Sequence, residues 1–151
     1  MKPAATCLLA ASLALVTGGR PAASRARMLE VVADRGVVWQ APLRLGERFD
    51  LSFLHSSERC RWTQHYQATA AGIRQESSTF PCFGAGMPSG STDGTPVVRT
   101  GRGYVVAAPR LIGELSMLSW RRGDITLALQ DRSYALSSML DDFERFSLRI
   151  R

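Results

Sequence analysis

After Ala26 the chain is built from short alternations of apolar and polar residues. Phe49, Leu51 and Phe53 alternate with Asp50 and Ser52, the period-two signature of a strand with one buried face. Trp62, Gln64, Tyr66 and Ala68 alternate with Thr63, His65 and Gln67, and Gly72 then turns the chain into residues 73–78. These three segments predict a meander. Upstream, residues 29–32 and 37–39 flank Ala33-Asp34-Arg35-Gly36, an opening hairpin in which Gly36 supplies the positive φ of a tight turn. Downstream, strands are predicted at residues 104–107, 115–119, 125–129 and 134–136. A terminal strand follows, in which Phe146, Leu148 and Ile150 alternate with Arg145, Ser147 and Arg149. Arg121-Arg122-Gly123-Asp124 and Gln130-Asp131-Arg132 supply turns, and residues 89–103, rich in Gly, Ser and Thr, read as a mobile loop. Strands recur at intervals of roughly ten residues with no helical stripe long enough to cover a parallel sheet. The predicted class is therefore all-β, a mainly antiparallel sandwich or partly open barrel with at most one short helix, placed at residues 136–143.

The first residues follow a different pattern. Lys2 precedes an apolar run over residues 4–16, Gly18, Gly19 and Pro21 break it, and Ala22, Ser24 and Ala26 offer small residues at cleavage spacing. Residues 1–26 read as a secretory signal peptide, which leaves residues 27–151 as a single β-rich domain. The run is too short to cross a hydrocarbon core of about 30 Å as an ordinary helix; the competing reading is an uncleaved anchor or an alanine-rich tail. Export changes the meaning of the charge. The chain carries a formal +6, but Lys2, Arg20 and Arg25 fall in the leader, leaving 16 basic against 13 acidic residues, a net +3. So weak a field argues against a nucleic-acid partner. Every basic residue but Lys2 is arginine and asparagine is absent, a coding bias that empties the arginine count of meaning for ligands.

Candidate chemistry concentrates in residues 49–88, which hold both histidines and both cysteines outside the leader. His55 continues the Phe49, Leu51, Phe53 face, and so is expected at the mouth of the core, followed by Ser56, Ser57 and Glu58 in a loop. An imidazole there serves as a general base or hydrogen-bond donor, or simply as a structural ring bonded to a loop carbonyl. His55, Glu58 and His65 have the chemistry of a zinc set, but their spacing fits no helix-borne motif and alternation sends His65 toward solvent on the opposite face; no metal and no cofactor are predicted. Cys60 and Cys82 are expected to form a disulfide, because an oxidising compartment disfavours free thiols. Phe83-Gly84-Ala85-Gly86-Met87-Pro88 lacks the third glycine and following helix of a dinucleotide fingerprint, yet its backbone N–H groups can hold a carboxylate.

Leu54-His55-Ser56, Glu58, the stretch from Trp62 to Tyr66, Phe80 and the Phe83 to Pro88 turn together resemble an uncharacterised bacterial family. It is the domain-of-unknown-function family whose genes commonly adjoin TAXI-type TRAP transporter permeases. The resemblance covers most of the chain after the leader and is most specific at the His-Ser pair and the Gly-Ala-Gly-x-Pro turn. It implies an exported, periplasmic or membrane-tethered, small β-rich domain with an accessory role in organic-solute uptake, and it brings no established catalytic residue. Where the family pattern has a proline and a downstream acid, Arg61 and Gln64 stand here, which argues against a shared metal or acid–base site. The expected site is His55, Ser56, Glu58, Gly84, Ala85 and Gly86: hydrogen bonds from the first pair, orientation or cation binding by Glu58, and backbone donors from the turn. The expected partner is a TRAP-type transporter membrane component or a small organic solute. Two other readings stay open: a small hydrolase using His55 with Ser56 or Cys82, and a purely structural envelope module.

Overall fold

The alternation described above becomes two antiparallel sheets packed face to face. The computed structural model describes residues 27–84 and 96–151; the predicted signal peptide and the Ala85 and Gly86 positions lie outside them. The strands are β1 (Arg27–Ala33), β2 (Gly36–Leu43), β3 (Arg48–Leu54), β4 (Arg61–Thr69), β5 (Gly72–Phe80), β6 (Val97–Thr100), β7 (Gly103–Gly113), β8 (Leu115–Leu118), β9 (Thr126–Leu129), β10 (Arg132–Ala135) and β11 (Arg145–Ile150). One sheet has the order β2-β1-β11-β8 and the other β10-β9-β3-β4-β5-β7-β6. Among the described residues each sheet keeps two free edges, so this is a sandwich and not a closed barrel.

Core positions follow period two along β3, β9 and β11. Leu29 and Val31 of β1, Phe146 and Leu148 of β11, Phe49, Leu51 and Phe53 of β3, and Leu127 and Leu129 of β9 all join one buried cluster. Tyr66, Ala68 and Ile73, on the predicted meander β3-β4-β5, extend the inner face of the larger sheet opposite the β1 and β11 residues. Burial pushes the Tyr66 phenol far above its ordinary pKa, and the nearby Arg110 charge only partly offsets this; its hydroxyl donates to Gln64 Oε1 at 2.7 Å. The one buried carboxylate face of the smaller sheet is paired: Arg149 Nε donates to Glu30 Oε2 at 2.8 Å.

The structure differs from these expectations in local detail. The segment 136–143 is not a helix beyond a single 3-10 turn at Leu136–Ser138. Ser138 Oγ donates to Ala135 O at 2.7 Å, a carbonyl that a longer helix would use, and Ser137 Oγ accepts from Ile125 N at 2.6 Å, pinning the turn to the start of β9. A second 3-10 turn, Arg121–Gly123, replaces part of an expected plain turn. Finally, the predicted loop 89–103 contains a strand. Val97 and Val98 are β-branched, and β6 pairs with β7 through a two-residue connection, with Thr100 opposite Gly103. Gly103 has φ +126° and a Cβ there would overlap the Phe80 carbonyl oxygen, so only glycine permits this corner. The part of the loop at 89–95 lies outside the described residues. The seventh strand also runs further than expected, through Ala108-Pro109, because a register shift opposite Glu76 leaves Pro109 without a ladder bond to make.

Candidate functional site

Strand β3 ends at Leu54, and the following six residues return the chain into β4. His55 N donates to Cys60 O at 2.8 Å and Arg59 N donates to His55 O at 2.9 Å, closing a tight loop in which Arg59 takes φ +51°. The His55 ring lies 5.7 Å from that of Trp62, which is itself packed between Phe53 and Phe80. The imidazole therefore stands where the aromatic core meets the loop. Its Nδ1 has a hydroxyl partner at 3.2 Å, and that hydroxyl belongs to Ser57 rather than to Ser56. The i, i+2 spacing keeps His55 and Ser57 on one side of the chain while the adjacent Ser56 points the other way.

The disulfide is present. Cys60 and Cys82, 22 residues apart with Cα atoms 6.3 Å apart, tie the His55 loop to the segment leaving β5. Cys82 consequently offers no thiol, and the cysteine form of the hydrolase reading loses its nucleophile. The bridge also seats Gly84 directly on Glu58: a Cβ at Gly84 would overlap the Glu58 carboxyl group. Two of the expected site elements thus meet, on the disulfide side of the loop.

His55 and Ser56 face something different. With Leu54, Arg59, Trp120 and Arg122 they line a groove of about 610 Å³. A smaller hollow of about 290 Å³ continues it past Trp120 and Arg122 to Asp142 and Phe143. Glu58 and Gly84 are not among the lining residues. Trp120 and Arg122 come from the connection between β8 and β9, more than sixty positions along the chain, and no local signal in the sequence linked that turn to His55. The turn is itself tightly determined. Ser119 is fully buried, its N donates to Glu144 O at 2.8 Å and its carbonyl accepts from Phe143 N at 2.8 Å, while Asp142 Oδ1 accepts from Arg121 N at 2.8 Å. Phe143 is held at φ +60° and is 71% exposed, an apolar ring left at the open end of the groove. Strain and exposure of this kind recur at ligand sites.

Electrostatically the groove is cationic. Neither Arg59 nor Arg122 takes part in an ion pair among the described residues, and Asp142 is the single acid at its far end. Gly123 supports it from below, since a Cβ at that position would overlap the Trp120 indole. Gly123→Ala is expected to cost about 1–3 kcal/mol through overpacking and to displace the indole, read as a lower denaturation midpoint together with altered Trp fluorescence.

His65 is elsewhere, on the outward face that alternation suggested, but there it is held by polar partners rather than standing free in solvent. It lies on the outer face of the seven-stranded sheet, half-buried, with Nδ1 2.8 Å from Asp50 Oδ1 and Nε2 3.1 Å from Thr79 Oγ1. His55, Glu58 and His65 therefore do not converge, and no cluster of three or more metal-ligating side chains occurs among the described residues.

No curated protein and no solved structure matches this chain. The family model described as "Domain of unknown function (DUF1850)" matches residues 49–136, from the first core residue of β3 through Leu136. That span takes in the His55 loop, the disulfide, Trp120 and Arg122, and the His65 contacts. Covering more than half of the sequence, it shows that the chain belongs to the DUF1850 family.

Proposed function

We propose that this protein is an exported accessory module of a solute transport system, and that it binds an organic carboxylate with an apolar or aromatic body in the His55 groove. The observation that carries this reading is the pairing of three nitrogen bases, His55, Arg59 and Arg122, with the indole of Trp120 in one groove of about 610 Å³. Guanidinium forks suit a carboxylate, and the indole and Phe143 offer apolar surface to the remainder of such a solute. Ser56 adds a hydroxyl at the rim. Glu58 and Gly84 act by holding the loop rather than by touching the ligand. The disulfide suits an oxidising, periplasmic compartment, where solute must be captured before it reaches a membrane component such as a TRAP-type permease.

A thermal-shift series with acetate, succinate, phenylacetate and indole-3-acetate tests the reading on the oxidised chain. A ligand at a hundredfold excess over its dissociation constant stabilises by about 2.7 kcal/mol. The aromatic carboxylates are expected to raise the midpoint more than acetate, and Arg122→Ala or His55→Ala should abolish most of the shift. A flat response to all four acids, or a shift that survives both substitutions, would exclude this site.

A further inference from the structure

His65 sits near the middle of β4, directly opposite Asp50 on β3 and one diagonal step from Thr79 on β5. A carboxylate at neutral pH can only accept, so the 2.8 Å contact from Asp50 Oδ1 places the ring proton on Nδ1. Nε2 then carries the lone pair and accepts from the Thr79 hydroxyl at 3.1 Å. The order carboxylate, imidazole, hydroxyl is the arrangement that turns an alcohol into a nucleophile. All three residues stand on adjacent strands of the predicted meander, inside a seven-stranded sheet, which is a rigid support for such a geometry.

The hydroxyl has room in front of it. Thr79 and His65 open onto a cleft of about 500 Å³ that is also lined by Arg61, Arg102 and Tyr104. Arg61 is held in place by Ser52 Oγ at 3.0 Å and by the Asp124 carboxylate. A guanidinium fixed before the reaction begins is suited to receive charge that develops on an oxygen.

We propose that Asp50, His65 and Thr79 form an acyl-hydrolase centre, separate from the His55 groove, acting on small esters that carry a negative charge. Thr79 Oγ1 bonds to the ester carbonyl carbon as its proton passes to His65 Nε2. The carbonyl π pair moves onto oxygen, and the resulting oxyanion faces the Arg61 and Arg102 side of the cleft. Collapse breaks the bond to the leaving alkoxide, which takes the proton from Nε2 and departs as an alcohol. Water, losing a proton to Nε2, then attacks the acyl-threonine. The acid leaves and the proton returns to Oγ1. Thr79 and His65 are the catalytic residues; Asp50 is a positioning residue that keeps the imidazole in the required tautomer. The charge on the substrate pairs with Arg102.

The test uses the oxidised full chain with the p-nitrophenyl half-ester of adipate, alongside p-nitrophenyl acetate, each rate taken above its spontaneous hydrolysis. The half-ester is expected to be hydrolysed faster than the acetate. Thr79→Val and His65→Gln should each lower kcat by about a hundredfold or more, Thr79→Ser should retain activity, and Asp50→Asn should lower kcat while leaving KM in place. Independently of any substitution, a fluorophosphonate should leave a single covalent adduct that peptide mass spectrometry assigns to Thr79. A rate equal in the native chain and Thr79→Val, or no adduct at Thr79, overturns the proposal. Either result leaves the carboxylate groove standing, because no residue is shared between the two sites.

Discussion

Phe49→Ala is expected to lower the free energy of unfolding by about 3–5 kcal/mol, the largest loss of any single substitution considered. Phe49 is 2% exposed and lies on β3, with β9 on one side and β4 on the other. Its ring stacks on Tyr66 with centroids 5.4 Å apart. Both flanking strands are hydrogen-bonded along their length, so the backbone cannot close on the space a benzyl group leaves. The cost is therefore the lost transfer energy plus most of the cavity term. It should appear in urea titration as a lower midpoint with little change in slope, because the surface exposed on unfolding barely changes. A loss under about 1 kcal/mol would mean that the site collapses and that the core is looser here than its packing indicates.

The second large effect comes from the bridge. Cys60→Ser with Cys82→Ser is expected to cost about 3 kcal/mol, the chain-entropy value for a loop of this order. Cys60 precedes β4 and Cys82 follows β5, so the bridge closes the open end of a hairpin whose other end turns at Gly72. Without it the unfolded chain regains the freedom of the whole hairpin. The native chain keeps its strand ladder. The consequence for the groove is specific: the Glu58 and Gly84 contact is no longer enforced, and the His55 loop is held only by its two backbone bonds. Equilibrium unfolding of the double variant, and of the native chain with and without a reductant, measures the first effect. The aromatic carboxylate titration of the same samples measures the second. Equal stability of oxidised and reduced chains would remove the bridge from any role in holding this loop.

The two sites ask different things of one framework. The His55 groove is assembled from loops at the end of the sandwich, where the β3–β4 connection meets the β8–β9 connection, and its Arg59 and Arg122 make no ion pair among the described residues. The Asp50, His65 and Thr79 cluster sits on strands and its polar groups satisfy one another. The proposed binding groove at loop ends and the proposed chemical centre on a rigid sheet would divide the labour in a way that β-sandwiches permit, because the strands stay in place when the loops adjust.

Much of this protein was readable without coordinates. Period-two alternation is a local property, fixed by the pleat of a single strand. It therefore identified β3, β4, β5 and β11, the core faces of Phe49, Leu51, Phe53 and Tyr66, and the placement of His55 just past a strand end. The cysteine pair was legible for another reason, since Cys60 and Cys82 are the only cysteines after residue 26. What alternation could not supply was anything that depends on register between strands or on loops distant in sequence. The outward face of His65 followed from its own strand, whereas its partners are set by which residues of β3 and β5 stand beside it, and the β4–β5 register shifts next to His65 itself. The β6 strand was hidden in a Gly- and Ser-rich context, because pairing with β7 outweighed local composition. Trp120 and Arg122 meet His55 through a turn whose path is decided by the burial of Ser119 and the backbone bonds of Glu144 and Phe143. Local side-chain periodicity determined the strands, their buried faces and the staple; long-range hydrogen-bond register and loop packing, whose energies arise only once the sheets have formed, decided which side chains share a site.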